Sequence, residues 1–154
     1  MRLRTFSAFL VCALFASCGN EGEKTATLED LYARKVKLPD GTVYTAEVVT
    51  TKFDMTRGMM FRDKLPADRG MLFVHGGLGK YPYWTYQVRI PLDIIWLNQN
   101  KLITEISANT PFCAESSSQK CPNYGGNKMS LYVLELNAGQ AALHKLNLGD
   151  RIDF

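Results

Sequence analysis

The chain has 154 residues, 46% of them apolar and 21% charged, with a formal net charge of +3. That balance excludes a disordered or fibrous chain, and so small a charge without a basic run excludes a surface built for nucleic acid. The length fits one domain with its own core once a leader and a tether are set aside.

Arg2 and Arg4 precede an apolar run from Phe6 to Phe15, and Ala16-Ser17 supply the small residues of a cleavage site, which is the layout of an export signal. The run is shorter than the roughly 20 apolar residues a membrane-spanning helix needs. Leu14-Phe15-Ala16-Ser17-Cys18 resembles the lipobox of bacterial lipoproteins, with Phe15 where leucine is usual. Cleavage before Cys18 then leaves a thiol that carries a diacylglyceryl group; secretion of a soluble chain, cut near Ala16, is the alternative. The expected organisation is a signal peptide over 1–17, a lipid-attachment cysteine and tether over 18–34, and a folded domain over 35–154. The domain is expected in the periplasm or outside the membrane, and Gly19, which is not aspartate, points to outer-membrane sorting in a two-membrane cell. The tether is polar and charged, with a short helix conceivable from Thr27 to Lys35.

From Lys35 onward, short apolar stretches alternate with turn signals. Strands are predicted at Lys35 to Leu38 and Val43 to Thr50, joined through Pro39-Asp40-Gly41, where proline presets φ and glycine accepts a positive one. Further strands are predicted at Met71 to Val74, Tyr83 to Val88, Leu92 to Leu97, Lys101 to Ser107, Leu131 to Leu136 and Arg151 to Phe154, with His75-Gly76-Gly77-Leu78-Gly79 read as a glycine-rich loop. Two helices are expected, Thr51 to Arg57 stopped by Gly58, and Asn137 to Leu146 capped by Asn137. The fold class is therefore mainly β, a compact antiparallel β-sandwich or barrel with two short helices.

Cys12 leaves with the leader and Cys18 is the anchor, so Cys113 and Cys121 are left to pair as a disulfide in an oxidising compartment. Their spacing is not that of a zinc site, and His75 and His144 are distant in sequence, so no metal or other cofactor is expected. Met55, Met59, Met60 and Met71 are soft ligands in principle, but adaptable core filling explains them more simply.

Asp93 stands inside the apolar run Ile90 to Leu97, so it is either held by backbone amides or an arginine, or it lies on a pocket floor as a ligand acceptor or base. Glu135 poses the same question inside Leu131 to Leu136, and the two are the candidate catalytic carboxylates. Arg57 and Arg62 carry forks suited to a carboxylate or phosphate, and Trp84 stands in the aromatic run Tyr81-Pro82-Tyr83-Trp84 beside the glycine loop. Arg57, Met60, Arg62, Trp84 and Asp93 are the expected ligand-binding residues.

Three blocks, Thr56-Arg57-Gly58-Met59-Met60-Phe61-Arg62 with Gly70-Met71-Leu72-Phe73-Val74, then Arg89-Ile90-Pro91-Leu92-Asp93-Ile94-Ile95-Trp96-Leu97, then Tyr132-Val133-Leu134-Glu135-Leu136-Asn137-Ala138-Gly139 with Gly149-Asp150, resemble in content and order the DUF192 family, also called UPF0127. The resemblance implies a small β-rich domain, often exported, without an established activity. Where members often have Trp-Met-Lys-Asn-Thr, this chain has Trp84-Thr85-Tyr86-Gln87-Val88. The expected function is a non-enzymatic, envelope-anchored module that binds a small molecule, a glycan or an envelope protein. Two alternatives stand beside it: a hydrolase or lyase on envelope glycans using Asp93 and Glu135, and an accessory protein whose partner surface includes the Cys113 to Cys121 loop.

Overall fold

A computed structural model describes residues 32–154. The leader, Cys18 and most of the tether lie outside the described residues, as does the helix suggested from Thr27 except for its last residues, which are already extended. Six strands form one sheet: β1 (Ala33–Lys37), β2 (Val43–Val49), β3 (Arg69–Gly79), β4 (Leu92–Leu97), β5 (Ile103–Thr110) and β6 (Ser130–Asn137), in the order β1-β2-β3-β6-β4-β5. The chain is mostly β with two short helices, as expected, but the sheet does not close into a barrel. Its edges are instead linked through the C-terminal residues, where Asp153 pairs with Lys37 and Arg151 with Leu102.

The β1–β2 hairpin turns at Pro39-Asp40-Gly41, with Gly41 at φ 91° and the Thr42 amide donating to Asp40 Oδ1 at 2.9 Å. The β2–β3 pair is parallel, a departure from the all-antiparallel expectation, because helix α1 (Lys52–Arg57) and the segment after it carry the chain back across one face. Thr51 caps α1 by accepting from the Asp54 amide, and Gly58 ends it at φ 42°. The remaining pairs, β3–β6, β6–β4 and β4–β5, are antiparallel.

Several predicted elements shift. Gly76 to Gly79 continue β3 rather than forming a loop. Tyr83 to Val88 is not a strand but an irregular segment, stitched to the rest by isolated bridges at Tyr83–Tyr124 and Tyr86–Cys113. Asn137 ends β6 and donates to Leu65 O, so helix α2 (Gln140–Leu143) starts later, after Gly139. His144, next after α2, is packed, bonded to the Tyr44 hydroxyl and to Asp40. Arg151 to Phe154 contributes bridges rather than a strand.

Both faces of the sheet are covered, because residues of β4 and β6 alternate between two cores. Ile95, Leu97, Leu134 and Leu136 join Val36, Tyr44 and Ile152 beneath α2 on one face. Leu92, Ile94, Trp96 and Val133 join Met59, Met71 and Phe73 beneath α1 on the other. Every residue of β4 is consequently buried, Asp93 among them.

Asp93 points to the α2 face and is fully satisfied there. Its Oδ1 accepts the Asn109 amide and its Oδ2 the Ala141 amide in the first turn of α2, both at 2.7 Å. The carboxylate thus ties β4 to the end of β5 and supplies α2 with the cap that Gly139 cannot. Replacing Asp93 with alanine takes the acceptor from the buried Ala141 amide and the part-buried Asn109 amide and opens a polar void. The expected cost is about 3 kcal/mol in urea unfolding, with α2 and the end of β5 losing amide-exchange protection first.

Candidate functional site

On the α1 face the sheet is incompletely filled, leaving a pocket of about 340 Å³. Its floor is Phe73 of β3, Met59, Val88 and Glu135 of β6. One wall is α1 and its exit, with Met55, Arg57 and Met60; the other is Tyr81, Pro82, Tyr83 and Trp84. Asn123, two residues after the disulfide-closed loop, completes the rim.

Strand parity explains the floor: with Leu134 and Leu136 facing α2, Val133 and Glu135 must face α1. Glu135 pairs in register with Met71 and Ile94, so its carboxylate enters an apolar surround. It is 4% exposed, and its Oε2 has no hydrogen-bond partner. Burial pushes its pKa up to about 8, opposed in part by the positive charge of Arg62.

The aromatic wall is held rigidly. The Trp96 indole donates to Tyr81 O at 2.8 Å, and Tyr81 stacks on His75 with centroids 3.5 Å apart and planes 2° from parallel. Tyr83 meets Phe73 and Trp96 edge-on, and its hydroxyl lies 3.2 Å from His75 Nε2. Burial, with the Glu135 and Tyr81 charges, raises the Tyr83 pKa, and burial lowers that of His75, so both are neutral at physiological pH. Behind this wall lies the Cys113–Cys121 loop, whose disulfide is formed with Cα atoms 5.8 Å apart. Two paired hydrogen bonds join Tyr83 to Tyr124, and the Cys113 amide donates to Thr85 O. After this loop, Gly125 and Gly126, at φ 55° and 72°, lie against Trp96 and Pro82 respectively, where a Cβ on either would collide.

Of the residues expected to bind ligand, Arg57, Met60 and Trp84 line the pocket. Arg62 does not; its guanidinium makes a bidentate pair with Glu47 at 2.5 and 2.7 Å. Asp93 lies on the opposite face. The candidate catalytic carboxylates, Asp93 and Glu135, therefore share no cleft. His75 and Tyr83, outside the expected ligand-binding set, also line the pocket, in the region that the run Tyr81-Pro82-Tyr83-Trp84 marks. Among the described residues no three His, Cys, Asp or Glu side chains gather as a metal site.

Glu135 also sets a pH dependence. Between its ordinary value of 4.5 and about 8, the unfolded chain ionises this carboxyl while the folded chain keeps it protonated. The folded state then binds more protons, so the contribution is full below pH 4.5 and is lost as pH rises through 8. Subtracting the stability curve of Glu135→Gln from that of the wild type isolates this group. The difference is expected to grow by on the order of 4 kcal/mol across that window, the wild type weakening as pH rises.

Residues 35–154 match the model of DUF192, described as "Uncharacterized ACR, COG1430". No curated protein matches the chain. Among solved structures, the chain is similar to a protein of unknown function from Novosphingobium aromaticivorans DSM 12444, at 27% identity and a TM-score of 0.69, covering 79% of this chain and 85% of that one. It is also similar to a protein from Sinorhizobium meliloti 1021 provisionally named a transcription regulator, at 26% identity and a TM-score of 0.68, covering 77% and 89%. With the family match spanning the whole described β-domain from Lys35 to Phe154, the chain belongs to the DUF192 family.

Proposed function

We propose that this protein is a non-enzymatic binding module of the cell envelope, which holds a small molecule in the pocket beneath Met60 and Trp84. The observation that carries the reading is the combination at its floor: a pocket of about 340 Å³, large enough for a small ligand, with one buried carboxyl oxygen that no protein group satisfies. Rigid aromatic and thioether walls give such a pocket apolar contact area, and a single polar group fixes orientation. Two-carboxylate glycan hydrolysis finds no support, since Glu135 and Asp93 are separated by the sheet.

The envelope assignment rests on Arg2, Arg4, the apolar run after them and Cys18. A multiply acylated Cys18 holds the chain at the membrane with the domain in the aqueous phase. A second reading, docking of an envelope protein, is favoured by Phe112 beside the disulfide loop, Phe53 in α1 and Phe61 just after α1, all more than half exposed.

Thermal-shift screening against glycans, nucleotides, organic acids and amines tests the pocket. A ligand at about 100 times its Kd adds roughly 2.7 kcal/mol of stability. Trp84→Ala, at a position 37% exposed, should lower the affinity of any hit at least tenfold with little change in the unliganded melting temperature. Hits indifferent to that change would place binding elsewhere. Membrane fractionation tests the anchor: the wild type is expected with the outer membrane and Cys18→Ala in the soluble fraction, whereas a soluble wild type would contradict it.

A further inference from the structure

We propose that the pocket takes an organic cation, an ammonium group on an apolar or aromatic body, with the ammonium paired to the Glu135 carboxylate and the body between Met60 and Trp84. The assignment rests on the reading of this cavity as a ligand pocket and adds its ligand class.

The geometry favours a cation over the other classes. Glu135 lines the cavity, and its buried Oε2 has no hydrogen-bond partner, so a ligand N–H that reaches this carboxyl meets an unmet acceptor. The walls include the rings of Tyr81, Tyr83 and Trp84 and the thioethers of Met55 and Met60, and an aromatic face attracts a cation through its quadrupole. The charged and titratable groups around the carboxyl are few. Arg62 approaches from the segment after α1 but spends two hydrogen bonds on Glu47. His75 of β3 is neutral through burial and lies against the Tyr83 hydroxyl, while Tyr81 is stacked on it. Arg57 is exposed at the mouth of the pocket rather than at its floor. An anionic ligand would meet a second carboxyl at the floor, and a neutral one would forgo ion pairing there.

Occupation by an ammonium requires the ionised carboxylate. With the free carboxyl titrating at about 8, binding at neutral pH releases a proton, and the apparent affinity climbs with pH until Glu135 is ionised in the free protein. Below pH 8 the climb approaches tenfold per unit. Tyr83, with its pKa raised, does not titrate in this range.

The test is calorimetric titration of the full chain in mild detergent, against a detergent blank, with 2-phenylethylamine, 2-phenylethanol and 3-phenylpropanoate at pH 6, 7 and 8 in two buffers. The amine is expected to bind at least tenfold tighter than the alcohol, to gain roughly tenfold between pH 6 and 7, and to release protons, while the acid does not bind. Glu135→Gln should bring amine and alcohol to similar affinities; it keeps the side-chain shape and removes a buried ionisable group, and the wild-type pH profile stands as an independent readout should the variant misfold. Amine binding that ignores both pH and Glu135→Gln overturns the proposal. So does the alcohol or the acid binding as tightly as the amine, although the pocket reading then survives. No binding by any of the three at millimolar concentration, with Trp84→Ala also without effect in the wider screen, would remove both.

Discussion

At the centre of the sheet β4 and β6 pair from Leu92–Asn137 to Leu97–Tyr132, and both faces of this pair are buried. Any carboxylate carried there has to find its partners inside the protein, since the cost of an unpaired one is several kcal/mol. The pair carries two, Asp93 and Glu135, next to each other diagonally and pointing to opposite cores. How each is treated separates the structural half of the molecule from its candidate functional half.

Asp93 receives two backbone amides at 2.7 Å and becomes the fastening between β4, the end of β5 and α2. Glu135 receives no donor at Oε2, and its charge is displaced by protonation instead. A protein that can satisfy the first carboxylate so fully and leaves the second lined by a cavity has stored an unmet interaction on one face. Arg62, whose charge opposes the rise in the Glu135 pKa, makes a bidentate pair with Glu47. The wall from Tyr81 to Trp84 is braced by the Trp96–Tyr81 hydrogen bond and backed by the disulfide-closed loop.

Much of the architecture was legible in the sequence. Short apolar runs between turn signals marked β2, β4 and β6, Thr51 and Gly58 bounded α1, and Cys113 and Cys121 pair as expected. Misreadings arose where tertiary context outweighs local pattern. Gly76, Gly77 and Gly79 have no side chains to announce a strand, yet Gly79 pairs with Ser130. Tyr83 to Val88 alternates like a strand but is bent by Gln87 at φ 59° and finds only isolated bridges. Within the site, Arg57, Met60 and Trp84 were found because they stand in or beside unusual local runs. Asp93 and Glu135 looked equivalent, both single carboxyls in apolar strands; only the coverage of each face, α2 on one and an incompletely filled α1 side on the other, tells them apart.

The central claim is that Glu135 is a protonated, unsatisfied carboxyl at the floor of a ligand pocket. The most direct measurement is its own titration, followed by the carbon-13 shift of the side-chain carboxyl in the unliganded protein, assigned by its loss in Glu135→Gln. A midpoint near pH 8 is the predicted result. A midpoint at or below the ordinary glutamate range would mean that the carboxylate is already paired or hydrated, and would contradict the account.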